Sequence, residues 1–94
     1  MYDKKFELNS TEFLKAVTWC MNNGFEGELL PCHDGLQYCY PTKKKSEFDF
    51  IIHSYSYGGY DGLLEEMGLR VDGDVTGYLT AEKLIGMITR KYFI

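Results

Sequence analysis

The chain has 94 residues, 45% of them apolar and 16% aromatic, with a formal net charge of −4. This length fits one compact domain over residues 1–94, and so large an apolar share excludes a disordered chain. The negative balance removes the electrostatic drive for nonspecific nucleic-acid binding, and no apolar run reaches the roughly 18 residues a membrane span requires.

Met1-Tyr2-Asp3-Lys4-Lys5 lacks the apolar segment of a secretion signal, and Tyr2 to Leu8 reads as a short amphipathic lead. Asn9 followed by Glu12 has capping-box spacing, and Phe13, Ala16, Val17, Cys20 and Met21 recur at helical intervals. A helix is expected over about 10–22, ended by Asn22-Asn23-Gly24.

Glu28 to His33 and Leu36 to Tyr40 read as two strands joined by Asp34-Gly35, a dipeptide favoured in two-residue hairpin turns. Pro31 cannot donate to a ladder, which places the first strand at an edge. That turn sets His33 opposite Leu36, Cys32 opposite Gln37 and Leu30 opposite Cys39, so that Cys32 and Cys39 share a face as diagonal neighbours. Residues 41–47, centred on Lys43-Lys44-Lys45, are a solvated loop. Phe48 to Tyr57 is the strongest strand signal, with Phe48, Phe50 and Ile52 on one face and Ile51, His53, Tyr55 and Tyr57 on the other.

Past Gly58-Gly59, Asp61 is placed to cap a short helix carrying Leu63, Leu64 and Met67, closed by Gly68. Val71 to Leu79 is either a metal loop or a turn with a short strand. Thr80 then caps a last helix whose Ala81, Leu84, Ile85, Ile88 and Tyr92 share one face. Together these elements define an α+β fold. A three-stranded antiparallel meander, extended by an optional fourth short strand, carries N- and C-terminal helices on one face.

Three patterns point toward function. Asp72 to Lys83 resembles an EF-hand loop: Asp72, Asp74, Thr76, the Tyr78 carbonyl and Thr80 fall at ligand positions, with Gly77 at the sharp turn. Lys83 stands where the bidentate glutamate belongs and Glu82 lies one residue early, so the resemblance implies weak calcium binding by Asp72, Asp74, Thr76, Tyr78 and Glu82. The competing reading is a solvent turn. Cys32, His33 and His53 raise a thiolate–imidazole pair. Strand alternation separates Cys32 from His33, leaving only His53 to approach a cysteine across the sheet. A half-buried cysteine and a surface histidine are the plainer reading. The odd cysteine count without a C-x-x-C argues against a zinc knuckle or a disulfide framework and fits a reducing cytoplasm.

Tyrosines form the third pattern, because an apolar ring with a polar tip suits recognition surfaces. Tyr38, Tyr40, Tyr55, Tyr57 and Tyr60 are candidates for partner contact, unless the hairpin rings pack as core. Asp61, Glu65, Glu66, Asp72 and Asp74 form a locally anionic stretch suited to attracting a basic surface. No cofactor motif or catalytic signature is present. The expectation is a small acidic, non-enzymatic interaction protein whose partner is a protein with a basic surface. Its size and charge match phage or mobile-element accessory proteins that block host nucleases, including those of the anti-CRISPR kind.

Overall fold

A computed structural model describes residues 5–94, so Met1 to Lys4, and with them part of the expected lead, lie outside the described residues. The fold is α+β, with helix α1 (Thr11–Asn22), strands β1 (Glu28–Cys32), β2 (Gly35–Pro41) and β3 (Ser46–Ile52), a 3₁₀ turn (Gly59–Asp61), strands β4 (Leu64–Met67) and β5 (Thr76–Leu79), and helix α2 (Ala81–Phe93). The sheet is an antiparallel meander in the order β1-β2-β3-β4-β5, so the meander has five strands where three or four were expected.

Alternation along β3 puts Phe48, Phe50 and Ile52 inward, as expected for a central strand. Tyr38, Leu64 and Leu79 continue that face across the neighbouring strands. Both helices cover it: Phe13, Ala16, Val17 and Cys20 come from α1, and Ala81, Leu84 and Ile88 from α2. Phe25, just past α1, closes one end of the core among Trp19, Tyr40, Phe48, Tyr92 and Phe93. Met21, grouped by spacing with the α1 core, is exposed.

The helix starts are tied to each other. Asn9 accepts from the Thr11 N–H, but Glu12 does not close a capping box on it. Glu12 instead accepts from the Ala81 N–H at 2.7 Å, satisfying a free donor at the start of α2. Thr80 accepts from the Lys83 N–H in the same turn, as its N-cap position implies.

Three local expectations are corrected. The hairpin turn is His33-Asp34, with Cys32 paired to Gly35, Pro31 to Leu36 and Glu28 to Cys39. Gly35 lies within β2, where a Cβ would stand 1.8 Å from the Ile52 carbonyl oxygen and only glycine fits, and His33 takes the positive φ of 55°. Cys32 and Cys39 still share the sheet face away from the helices, but they are no longer diagonal neighbours, and all three cysteines are free thiols.

The second correction is that β3 stops at Ile52. The Ser56 hydroxyl accepts from the His53 N–H and donates to the His53 carbonyl, folding the chain back where a longer strand was expected. Third, the expected helix around Leu63 to Met67 is β4. Leu64 and Glu66 point inward, and Asp61 ends the short 3₁₀ turn where a helix was to start. No helix among the described residues is long and apolar enough to cross a membrane.

Candidate functional site

The antiparallel order gathers the His33-Asp34 turn, the β3–β4 connection (residues 53–63) and the end of β5 at one end of the sheet. Four tyrosines project there. Tyr55 is 80% exposed, Tyr57 and Tyr78 each 58%, and Tyr60 44% with its ring edge-on to Phe6.

The backbone beneath these rings is held at almost every step. Ser54 N–H donates to Asp34, Tyr55 N–H to His53 Nδ1, and Tyr57 N–H to Glu65, while Tyr78 N–H donates to the Tyr57 carbonyl. Gly59, Asp61 and Leu63 N–H groups bond carbonyls inside the same loop. Gly77 lies so close under Tyr57 that a Cβ there would be 2.3 Å from the tyrosine's own Cβ. No lysine or arginine occurs in residues 33–35, 53–63 or 76–80, which contain Asp34 and Asp61. A backbone bond and then a side-chain bond from Ser54 hold the Asp34 carboxyl below the ordinary aspartate range, keeping it charged.

The other expected contact residues fall elsewhere. Tyr38 is 1% exposed, and its hydroxyl donates to the Phe25 carbonyl while accepting from the Gly27 N–H. Tyr40 packs against Phe25, Phe48 and Tyr92. Tyr38 therefore belongs to the core, and Tyr40, half-buried, packs against it. Glu66 is also buried, at 1% exposure, and cannot meet a partner. Glu65 is half-buried and bonded to Tyr57 N–H. Asp72 and Asp74 lie in the β4–β5 loop at the opposite end of the sheet, so the anionic stretch of the sequence is divided in space.

The calcium-loop geometry is also absent among the described residues. Asp72 accepts from Arg70 at 2.6 Å and from the Asp74 N–H, bonds that hold its carboxyl below the usual range, the backbone bond contributing most. Asp74 turns back onto the Val75 N–H. Thr76 and Tyr78 belong to β5 and Glu82 to the exposed first turn of α2, and the acidic groups here do not converge on a point. Adding calcium to about 1 mM, the weak end of the EF-hand range, is expected to leave the melting temperature unchanged. A calcium-dependent rise, lost in Asp72→Asn, would restore the loop reading.

Beside the tyrosines lies a cluster that strand alternation argued against. Cys32, His33 and His53 each place a ligand-type atom within 4.8 Å of the other two, the one such trio of His, Cys, Asp or Glu among the described residues. Three elements build it. Cys32 ends β1 on the sheet's helix-free face, opposite Gly35, and one step beyond the Leu36–Ile52 pair puts His53 beside Gly35 on its other side. A glycine in the middle of that row lets the two flanking side chains lean together over β2. His33, lifted out of the strand by its positive φ, lays its ring 4.6 Å from that of His53. The turn at His33-Asp34 is what defeats the alternation argument.

The cluster does not resemble an activated nucleophile. Burial raises the Cys32 thiol, opposed by Lys43, and burial followed by the charge of His33 lowers His53. Both shifts favour the neutral thiol and imidazole over the thiolate–imidazolium pair that cysteine enzymes use. Cys20 is inert, its thiol pushed up to about 12 by burial in the core.

Compared with known proteins, the chain matches no family model, no curated protein and no solved structure.

Proposed function

We propose that this chain is a small non-enzymatic interaction module that docks its tyrosine-bearing sheet end onto a protein with a basic surface. The observation that carries the reading is the set Tyr55, Tyr57, Tyr60 and Tyr78, exposed on a backbone already fixed by hydrogen bonds. Association costs free energy for every segment that must be ordered. Aromatic contacts on a pre-ordered loop lose less of their gain to that cost, and tyrosine gives large contact area for few rotatable bonds. Asp34 and Asp61, with no cation in the same segments, favour a positively charged partner and a salt-sensitive approach.

A nucleic-acid groove on a nuclease is a surface of this kind, and blocking it is how an anti-CRISPR type inhibitor from a phage or mobile element would act. The compartment that fits three free thiols is the cytoplasm. Capture from a lysate by the immobilised chain is expected to retain a basic protein that elutes as salt is raised. The double change Tyr55→Ser and Tyr78→Asn, the latter chosen to suit the φ of 56° at Tyr78, is expected to weaken that complex at least tenfold, about 1.4 kcal/mol. An interaction equally strong in the double variant would refute the proposed contact surface.

A further inference from the structure

We propose that Cys32, His33 and His53 form a zinc site, with a sulfur and two imidazole nitrogens as ligands and the fourth tetrahedral position open to an exchangeable group. The donor set is the first argument. Thiolate and imidazole are the two side chains zinc favours, and three protein ligands with one free position is a recurrent zinc arrangement. Geometry is the second. Zinc bonds of about 2.0–2.3 Å at tetrahedral angles set one sulfur and two nitrogens about 3.3–3.6 Å apart. Donors already within 4.8 Å need to close by at most about 1.5 Å, and the His33 side chain is exposed, with room to turn inward.

Zinc would replace the Cys32 proton on sulfur, releasing it to solvent, with no change of oxidation state.

Ligation has a mechanical consequence. His53 Nδ1 now accepts from the Tyr55 N–H at 3.0 Å. If zinc takes Nδ1, that lone pair is used; if zinc takes Nε2, the neutral ring carries its proton on Nδ1. Either way the Tyr55 N–H loses its acceptor. Zinc therefore unfastens the most exposed tyrosine of this sheet end.

Titration with Co²⁺, a spectroscopic stand-in for zinc, tests the site on the intact chain. One equivalent is expected to give the visible bands of tetrahedral cobalt and a near-ultraviolet thiolate-to-metal band, both removed by Zn²⁺. Cys32→Ser should abolish the thiolate band, and His33→Ala, at an exposed position, should weaken binding at least tenfold without changing the circular dichroism. Hydrogen exchange of the Tyr55 amide should quicken on zinc loading, and in Cys32→Ser it should not respond. A thiolate band that survives Cys32→Ser, unchanged affinity in His33→Ala, or no binding by the unaltered chain would overturn the assignment. Capture experiments run in chelator test the interaction reading separately, because they leave the metal out.

Discussion

Gly35→Ala is expected to destabilise the protein by about 3 kcal/mol or more, read as a fall in melting temperature of more than about 10 °C. The added Cβ would stand 1.8 Å from the Ile52 carbonyl oxygen, 2.8 Å from its carbon and 3.0 Å from the His53 Cα. All three are backbone atoms of the central strand or its immediate continuation, so no rotamer change relieves the clash. Either β2 moves away from β3, breaking the Leu36–Ile52 end of the ladder, or the chain at His53 shifts and takes the Cys32–His33–His53 cluster apart. Gly73→Ala is the control, because a Cβ at Gly73 meets nothing within 4 Å and meets only the modest strain of its positive φ. A Gly35→Ala protein that melts with the Gly73→Ala control would show that the sheet end is looser than described.

The two glycine roles explain much of what was and was not legible in the sequence. Apolar spacing located α1 and α2 and the inward face of β3, because helix and strand periods leave direct marks on Phe13, Ala16, Val17 and Cys20 and on Phe48, Phe50 and Ile52. Asp34-Gly35 misled, since glycine signals both a turn and a close backbone approach, and here the second cause holds. The displaced turn also hid the cluster, because His33 read as a strand residue points away from Cys32. Alternation in the hairpin leaves Tyr38 open to either surface or core. Its hydroxyl is satisfied by Phe25 and Gly27, thirteen and eleven residues away, and such long-range partners leave no local pattern. The acidic residues from Asp61 to Asp74 look like one surface in sequence, yet Glu66 faces the core and Arg70 holds Asp72 at the far end of the sheet. Of the expected contact set, Tyr55, Tyr57, Tyr60 and Asp61 are exposed together, and Tyr78 joins them from β5.

Glu66 concealed β4, since a carboxylate at an inward position breaks the alternation that marks a strand, and it carries the second large expected effect. Its Oε2 accepts from the Leu69 N–H at 3.2 Å and Thr76 bonds the same carboxyl, but Oε1 is buried with no partner. Burial, the dominant cause, raises its proton affinity against those two bonds and against Arg70. A carboxyl whose proton is held more tightly folded than unfolded favours the native state at low pH. That advantage fades as pH rises from the ordinary glutamate range through the raised native value, because the folded chain must then release the proton or bury a charge. Asp49, on the opposite sheet face and raised mainly by burial, adds a slope of the same sign. Glu66→Gln keeps an acceptor for Leu69 and carries no charge, so it is expected to stabilise the protein by about 1–3 kcal/mol at pH 8 and by much less near pH 4. Urea unfolding of both proteins at the two pH values measures the difference directly. A pH-independent gap between them would mean that Glu66 does not titrate in this window, and a loss of stability at pH 8 would mean that the charged carboxylate is held by bonds stronger than those of Leu69 and Thr76.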